Sequence, residues 1–279
     1  MSAEYSIHQL CATFGVARSG YQAWARRAPS PRAQRDADLL KLLRQGHEES
    51  RGTYGRPRLL IWLARRGVRC GHSRAWRLLQ QAGLSQSRRR KFRPVSLTDS
   101  DHDLPVAPNR LLQQPEPLRP NAVWLADITY VPTDEGWLYV AGILDRCTRR
   151  CIGWAMGDSL ATPLPLAALD MALTHRRPPP GLLHHSDRGV QYASQTYRQV
   201  LTQAGAVSSM SRRANCYDNA MMESFWSTLK RDLIHRRHFA TRAQARAAIF
   251  EWIEVFYNRT RLHSALGYQS PVDFETQLN

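Results

Sequence analysis

An aspartate stands in the middle of an apolar, aromatic and β-branched run, V-W-L-A-D-I-T-Y over residues 123–130. Such a run reads as a strand, and under period-two alternation Val123, Leu125, Thr129 and Val131 share the face of Asp127. An unpaired carboxylate among those neighbours costs on the order of several kcal/mol to bury. Any fold built on this strand must therefore meet Asp127 with a cation, a metal or an arginine, or leave it on an open cleft. Two further acids have suitable settings. Asp187 follows the apolar run 182–185 in H-H-S-D-R-G-V-Q-Y, at a strand end, where ligands of open α/β sheets gather; an ordinary turn aspartate reads equally well. Glu223 lies on an amphipathic helix. Met222, Phe225, Trp226, Leu229 and Leu233 form its core face, and Asn219, Glu223, Ser227 and Lys230 form an adjacent polar stripe. Lys230 falls two turns beyond Glu223, about 10 Å along the axis. Carboxylates on three separate elements can converge on two divalent ions about 3.5–4 Å apart, an arrangement suited to in-line phosphoryl transfer. Asp145, Asp134 and Asp158 compete for the role, while Asp218 reads as a helix cap.

The charge balance says what the phosphate belongs to. Lys and Arg number 39 against 23 Asp and Glu, a formal net charge of +16 over 279 residues. A hydrophobic content of 43% with eight Trp and ten Tyr supports packed domains rather than a disordered basic tail. A basic surplus on a folded chain points to a polyanion, so the partner is expected to be a nucleic acid. No apolar run approaches the roughly 18–20 residues of a membrane span. The start M-S-A-E-Y-S-I-H lacks a signal-peptide core, so a cytoplasmic, nucleoid-associated location is expected. The five cysteines contain no C-x-x-C and read as free thiols. Neither Cys147 with Cys151 nor His235 with His238 makes a convincing zinc site.

The chain divides by composition into four segments. Residues 1–29 hold two short helical patterns around Gly15, the second capped by Ser19, as in a small helix-turn-helix or a plain helical hairpin. Residues 30–95 hold three more. Leu39, Leu40, Leu42 and Leu43 mark the first, Pro57 heads the second, and Ser73 caps the third, which carries Trp76 and stops before Gly83. This block reads as a DNA-binding module, ending in the basic tether Arg88, Arg89, Arg90, Lys91, Arg93. Residues 96–119 lack apolar periodicity and read as a linker. Residues 120–279 read as three meander strands (123–131, 137–144, 151–156), a helix from Thr162, a strand at 182–185, a helix at 194–204, a strand at 207–210, and helices at 219–233 and 242–257. That order makes an α/β domain with one mixed five-stranded sheet.

Three segments carry a resemblance. A-D-I-T-Y, H-S-D-R-G-V-Q-Y and N-C-Y-D-N-A-M-M-E-S-F-W-S-T-L-K resemble the catalytic blocks of DDE transposases and retroviral-type integrases. The tail Y-N-R-T-R-L-H-S-A-L-G-Y-Q-S-P and the block S-R-G-T-Y-G-R-P-R narrow it to the OrfB product of an IS-three type bacterial insertion sequence. The resemblance implies an RNase H-like fold, with Asp127, Asp187 and Glu223 as catalytic acids and metal ligands for two Mg2+ (or Mn2+) ions. It implies strand cleavage by water and strand transfer by the freed 3′-hydroxyl on element ends and target DNA. Lys230 resembles a contact to the terminal bases; Arg188, Tyr192, Arg212, Arg213, Asn258, Arg261 and His263 are further DNA-contact candidates. It also implies a homo-oligomer on DNA and an upstream-frame OrfA partner or fusion. A catalytically silent DNA-binding regulator, or a nuclease that cuts without joining, are the competing readings.

Overall fold

The computed structural model describes residues 5–84, 102–212 and 216–278. The chain divides into two compact units, Met1–Arg88 and Arg89–Asn279. The basic run Arg88, Arg89, Arg90, Lys91, Arg93 and also Arg213 lie outside the described residues.

The first unit is helical. α1 (Ile7–Thr13) starts at a capping box in which Ser6 and Gln9 satisfy each other's backbone. Gly15, at φ +63°, makes the turn into α2 (Arg18–Ala25). Ser19 does not cap this helix; Ala17 holds that position and Ser19 lies inside the first turn. α3 (Pro31–Glu49) is capped by Ser30, with Pro31 at a position that needs no N–H. α4 (Arg56–Ala64) and α5 (His72–Gln81) follow, both starting at a glycine, so Ser73 is likewise not a cap. Leu39, Leu43, Leu59, Leu63, Leu78 and Leu79 bury the centre of this three-helix block. Gly46 lets α4 approach α3: a Cβ there would stand 2.9 Å from the Trp62 ring. Asp36 of α3 draws in α5 by bonding both Arg74 and Arg77.

The second unit is built on a sheet in the order β3-β2-β1-β4-β5. β1 (Val123–Thr133), β2 (Gly136–Asp145) and β3 (Cys151–Gly157) form the antiparallel meander. The helix α6 (Pro163–Arg176) crosses over to β4 (Leu183–Ser186), which runs parallel to β1. α7 (Val190–Ala193) and α8 (Gln195–Gln203) lead to β5 (Val207–Met210), parallel to β4. This is the mixed five-stranded sheet with flanking helices of an RNase H-like core. One face packs on α6 and α8 through Trp124, Ala141, Ile143, Ala168, Leu169 and Tyr197. Gly153 permits that approach, because a Cβ would overlap the carbonyl oxygen of Ala168. The other face receives α9 (Ala220–Asp232), whose Trp226 packs on Gly142 of β2.

α10 (Arg242–Glu251) continues into a π-helical turn, Trp252–Tyr257, so the long final helix is not uniformly α. Phe225, Trp252 and Tyr257 stack their rings there and join α9 to this segment. A further helix, α11 (Pro271–Leu278), closes the chain, and its Glu275 bonds Arg150 and Arg176. Residues 102–114, expected as part of a linker, instead bond to the sheet unit, with a 3-10 turn at Leu111–Gln113. No helix among the described residues is long and apolar enough to cross a membrane.

Candidate active site

Sheet register brings the first two acids together. In the parallel β1–β4 ladder Val123 faces Leu183 and Leu125 faces His185. The ladder ends there, and Asp187 follows one residue past the end of β4, near enough for its charge to act on Asp127 two residues beyond Leu125. Neighbouring strands lie about 4.8 Å apart and register partners share a face. The carboxylate of Asp187 accepts from the Gly189 N–H at 2.9 Å, which turns the chain toward α7.

α9 brings the third acid. Its entry is tied to β1 by Asn219, which donates to the Ala126 carbonyl at 3.1 Å. One turn after Glu223, the Trp226 indole N–H donates to Asp127 Oδ2 at 3.1 Å. The cross-strand partner of Asp127 is Gly142, and its missing side chain is the space the indole fills. Asp127, Gly142 and Trp226 thus form one packed unit.

Asp127 is set deep, although part of its surface still reaches solvent. Burial first, then the charges of Asp187 and Glu223, push its pKa up to about 8, against the Ile128 and Trp226 donors, which lower it. Tyr192, buried nearby, is raised well above its ordinary value by burial and by charges that include Asp127 and Asp187. Lys230 stands 4.7 Å over the Tyr130 ring. Burial lowers its pKa, and the charge of Asp127 opposes that shift. Three acids from β1, the end of β4 and α9 therefore share one field, with a lysine at its margin.

By donor chemistry this set suits a hard divalent cation. All donors are carboxylate oxygens, and a cation would relieve both causes that raise Asp127. Among the described residues no three His, Cys, Asp or Glu side chains stand as a ready-made cage.

Three of the other acids, Asp145, Asp134 and Asp218, have partners of their own. Asp145, fully buried, accepts from Asn121 N, Thr148 N and Thr148 Oγ1 to close the β2–β3 turn. Asp134 pairs with His238 at 2.9 Å. Asp218 is not the cap of α9, which Asn219 begins; it binds Asn109 and the backbone and guanidinium of Arg212.

Several DNA-contact expectations give way to burial. Tyr192 is in the core. Asn258 bonds both the N–H and the carbonyl of Cys151. Arg261, 3% exposed, donates to Asp232 at 2.9 Å. The His263 ring packs edge-on to Tyr257, and its backbone bridges to Gln269. Arg188 reaches back to the Ser211 carbonyl, whereas Arg212 bonds Asp218 and keeps half of its side chain exposed. The roles of Trp226, Gly142 and Asn219 around the acids were missed in the sequence. Trp226 read only as core, because a helical period reports which face is buried and not what its one polar atom meets.

The class follows from family matches on this architecture. Residues 117–216 and 205–271 match the integrase core domain, and residues 33–92 match an HTH-like domain. The chain is 49% identical over 265 residues to the insertion element IS600 uncharacterized 31 kDa protein of Shigella sonnei, covering 95% of this chain and 97% of that one. It is 40% identical over 277 residues to transposase InsF for insertion sequence IS3A of Escherichia coli, covering 99% and 96%. It is 40% identical over 250 residues to the transposase for insertion sequence element IS904 of Lactococcus lactis, covering 89% and 98%. The chain belongs to the family of IS3-type insertion-sequence transposases, polynucleotidyl transferases that act on DNA.

Proposed function

We propose that Asp127, Asp187 and Glu223 are the catalytic acids of this transposase and that they hold divalent cations, magnesium or manganese, between them. The observation that carries the reading is geometric: the Trp226 N–H, one turn past Glu223 on α9, bonds Asp127 of β1, and β1 pairs with β4, which ends one residue before Asp187. Two such ions, when bound, would activate the attacking water or 3′-hydroxyl and stabilise the departing oxygen. The protein's own groups set the stage for this. The Trp226 N–H fixes one oxygen of Asp127, and the Gly189 N–H fixes one oxygen of Asp187. The asparagine at the head of α9 holds Glu223's helix against β1. Lys230, half-buried beside Tyr130, offers a cation to the phosphates of the same DNA strand. Residues 120–279 would be the catalytic part and residues 30–95 a DNA-binding part. Assembly as an oligomer on DNA, with or fused to an upstream-frame product, rests on family membership alone.

The test is strand cleavage on DNA carrying the element ends. Asp127→Asn, Asp187→Asn and Glu223→Gln should each lower the rate at least about a thousandfold, about 4 kcal/mol of transition-state stabilisation. DNA affinity should stay within about twofold, a shift under about 0.4 kcal/mol. Normal cleavage by any of the three removes that residue from the site. Supplying a pre-cut 3′-hydroxyl end with target plasmid separates transfer from simple nuclease action, since only a transferase yields joined product.

A further inference from the structure

Residues 102–114 make four ties to the catalytic unit, and two of these fall on the segments that carry Asp187 and Glu223. His102 Nε2 lies 2.8 Å from the carbonyl of Arg188, the residue after Asp187. Its Nδ1 accepts from the Leu104 N–H at 3.2 Å, so the Nε2 atom carries the proton and donates to Arg188. Asn109 Nδ2 donates to Asp218 Oδ2 at 2.8 Å, in the turn that opens onto α9 and Glu223. The Asn109 Oδ1 accepts from Leu111 and Leu112 N–H, which fixes the amide orientation. Arg110 N donates to Ser209 Oγ at 3.0 Å on edge strand β5, and Ala107 packs on the sheet's core.

These ties close a loop. Arg188 donates to the Ser211 carbonyl at 2.6 Å, and Arg212, next along, bonds Asp218 through its backbone and its guanidinium. The Asp187 turn, the end of β5 and the entry to α9 are therefore cross-linked to one another, and 102–114 bridges all three from outside. The segment precedes residue 117, where the match to the integrase core domain begins.

We propose that residues 102–114 are a positioning strap for the active site: through His102 on the Asp187 turn and Asn109 on the α9 entry, they hold two acids in register with Asp127. Its two ties run to Arg188 and Asp218, so the strap acts on the acids through their neighbours. Its proposed effect rests on the assignment of Asp187 and Glu223 given above.

The full-length chain tests it. Asn109→Asp puts a second carboxylate against Asp218, His102→Ala removes the donor to Arg188, and His102→Gln keeps a donor and an acceptor of similar reach. In metal-free protein, amide hydrogen exchange of peptides spanning 187–192 and 218–223 should rise at least about tenfold in Asn109→Asp and His102→Ala. It should stay near the parent value in His102→Gln. With DNA and Mn2+, kcat for cleavage should fall about tenfold and the half-saturating Mn2+ concentration should rise several-fold. KM for DNA should not move. Unchanged exchange and unchanged Mn2+ dependence in both disruptive variants overturn the strap, as does a change in KM alone. If Asn109→Asp does not fold, the His102→Ala and His102→Gln pair decides. The assignment of the acids fails separately, by active Asp187→Asn or Glu223→Gln protein.

Discussion

Trp226 occupies two environments at once. Its ring packs over Gly142 in a gap that no other residue type would leave, while its N–H reaches Asp127. Two mutations probe the two environments. Gly142→Ala would bring a Cβ to 2.8 Å from the indole. Overpacking of that kind costs about 1–3 kcal/mol and should lower the melting temperature. It should also reduce cleavage by at least about tenfold, or about 1.4 kcal/mol, as the indole drags on Asp127. Trp226→Phe removes the donor and also shortens the ring where it meets Gly142, so a lost hydrogen bond of about 1 kcal/mol should be joined by a cavity cost. A Gly142→Ala protein that melts like the parent would show that the indole does not need that gap. Of the three acids only Asp127 stood out from its local period; Asp187 and Glu223 were singled out by the motifs around them. Trp226 and Gly142 were not, since their partnership depends on a cross-strand register set by residues more than a dozen positions away.

At the scale of elements, the strands and main helices follow from hydrophobic periodicity, with ends within a residue or two. The departures are at caps and at the C-terminal end. Ser19 and Ser73 fall one or two places inside their helices, because the chain turns at Ala17 and Gly71. The π-helical turn at 252–257 and the helix α11 have no distinctive period. α11 is held by tertiary charge: Glu275, 5% exposed, bonds Arg150 at the head of β3 and Arg176 at the end of α6. Burial alone would raise the Glu275 pKa, but the two arginines outweigh it and the net shift is downward from 4.5. A carboxylate with a lowered folded-state pKa contributes stability that is complete above its unfolded value and is lost as pH falls through the folded one. The protein should therefore lose stability below about pH 4.5 more steeply than Glu275→Gln. At neutral pH that variant leaves two arginines without their partner and should cost about 3 kcal/mol. Chemical denaturation at pH 7 and pH 3.5 measures both; equal acid sensitivity in the two proteins would remove Glu275 from the account.

Over the whole molecule, the +16 charge is a statement about DNA. Much of it stays on the surface, while Arg150, Arg176 and Arg261 are consumed by internal carboxylates. Binding that neutralises 6–10 phosphates loses about 10³–10⁵ in affinity between about 50 and 200 mM salt. Titrating element-end DNA across that range should give a loss of at least about a thousandfold. A flat response would mean that the basic surface is not what meets the backbone. Neither unit alone accounts for the charge, since the arginine-rich helices of α3–α5 and the sheet unit both contribute.

The sequence by itself determined the periodic elements, the basic balance and the motifs that carry the family resemblance, and that resemblance singled out the three acids. Periodicity, charge and motifs are each written locally along the chain. The tertiary structure alone decided which polar groups are scaffold. Asp218, Asn258 and Arg261 look from the chain like a cap and two DNA contacts, yet their partners are Asn109, Cys151 and Asp232. It also turned residues 102–114 from a linker into part of the catalytic unit. A buried polar group must find a hydrogen-bond partner wherever the fold supplies one, and that partner is chosen by proximity in space, which local spacing does not encode.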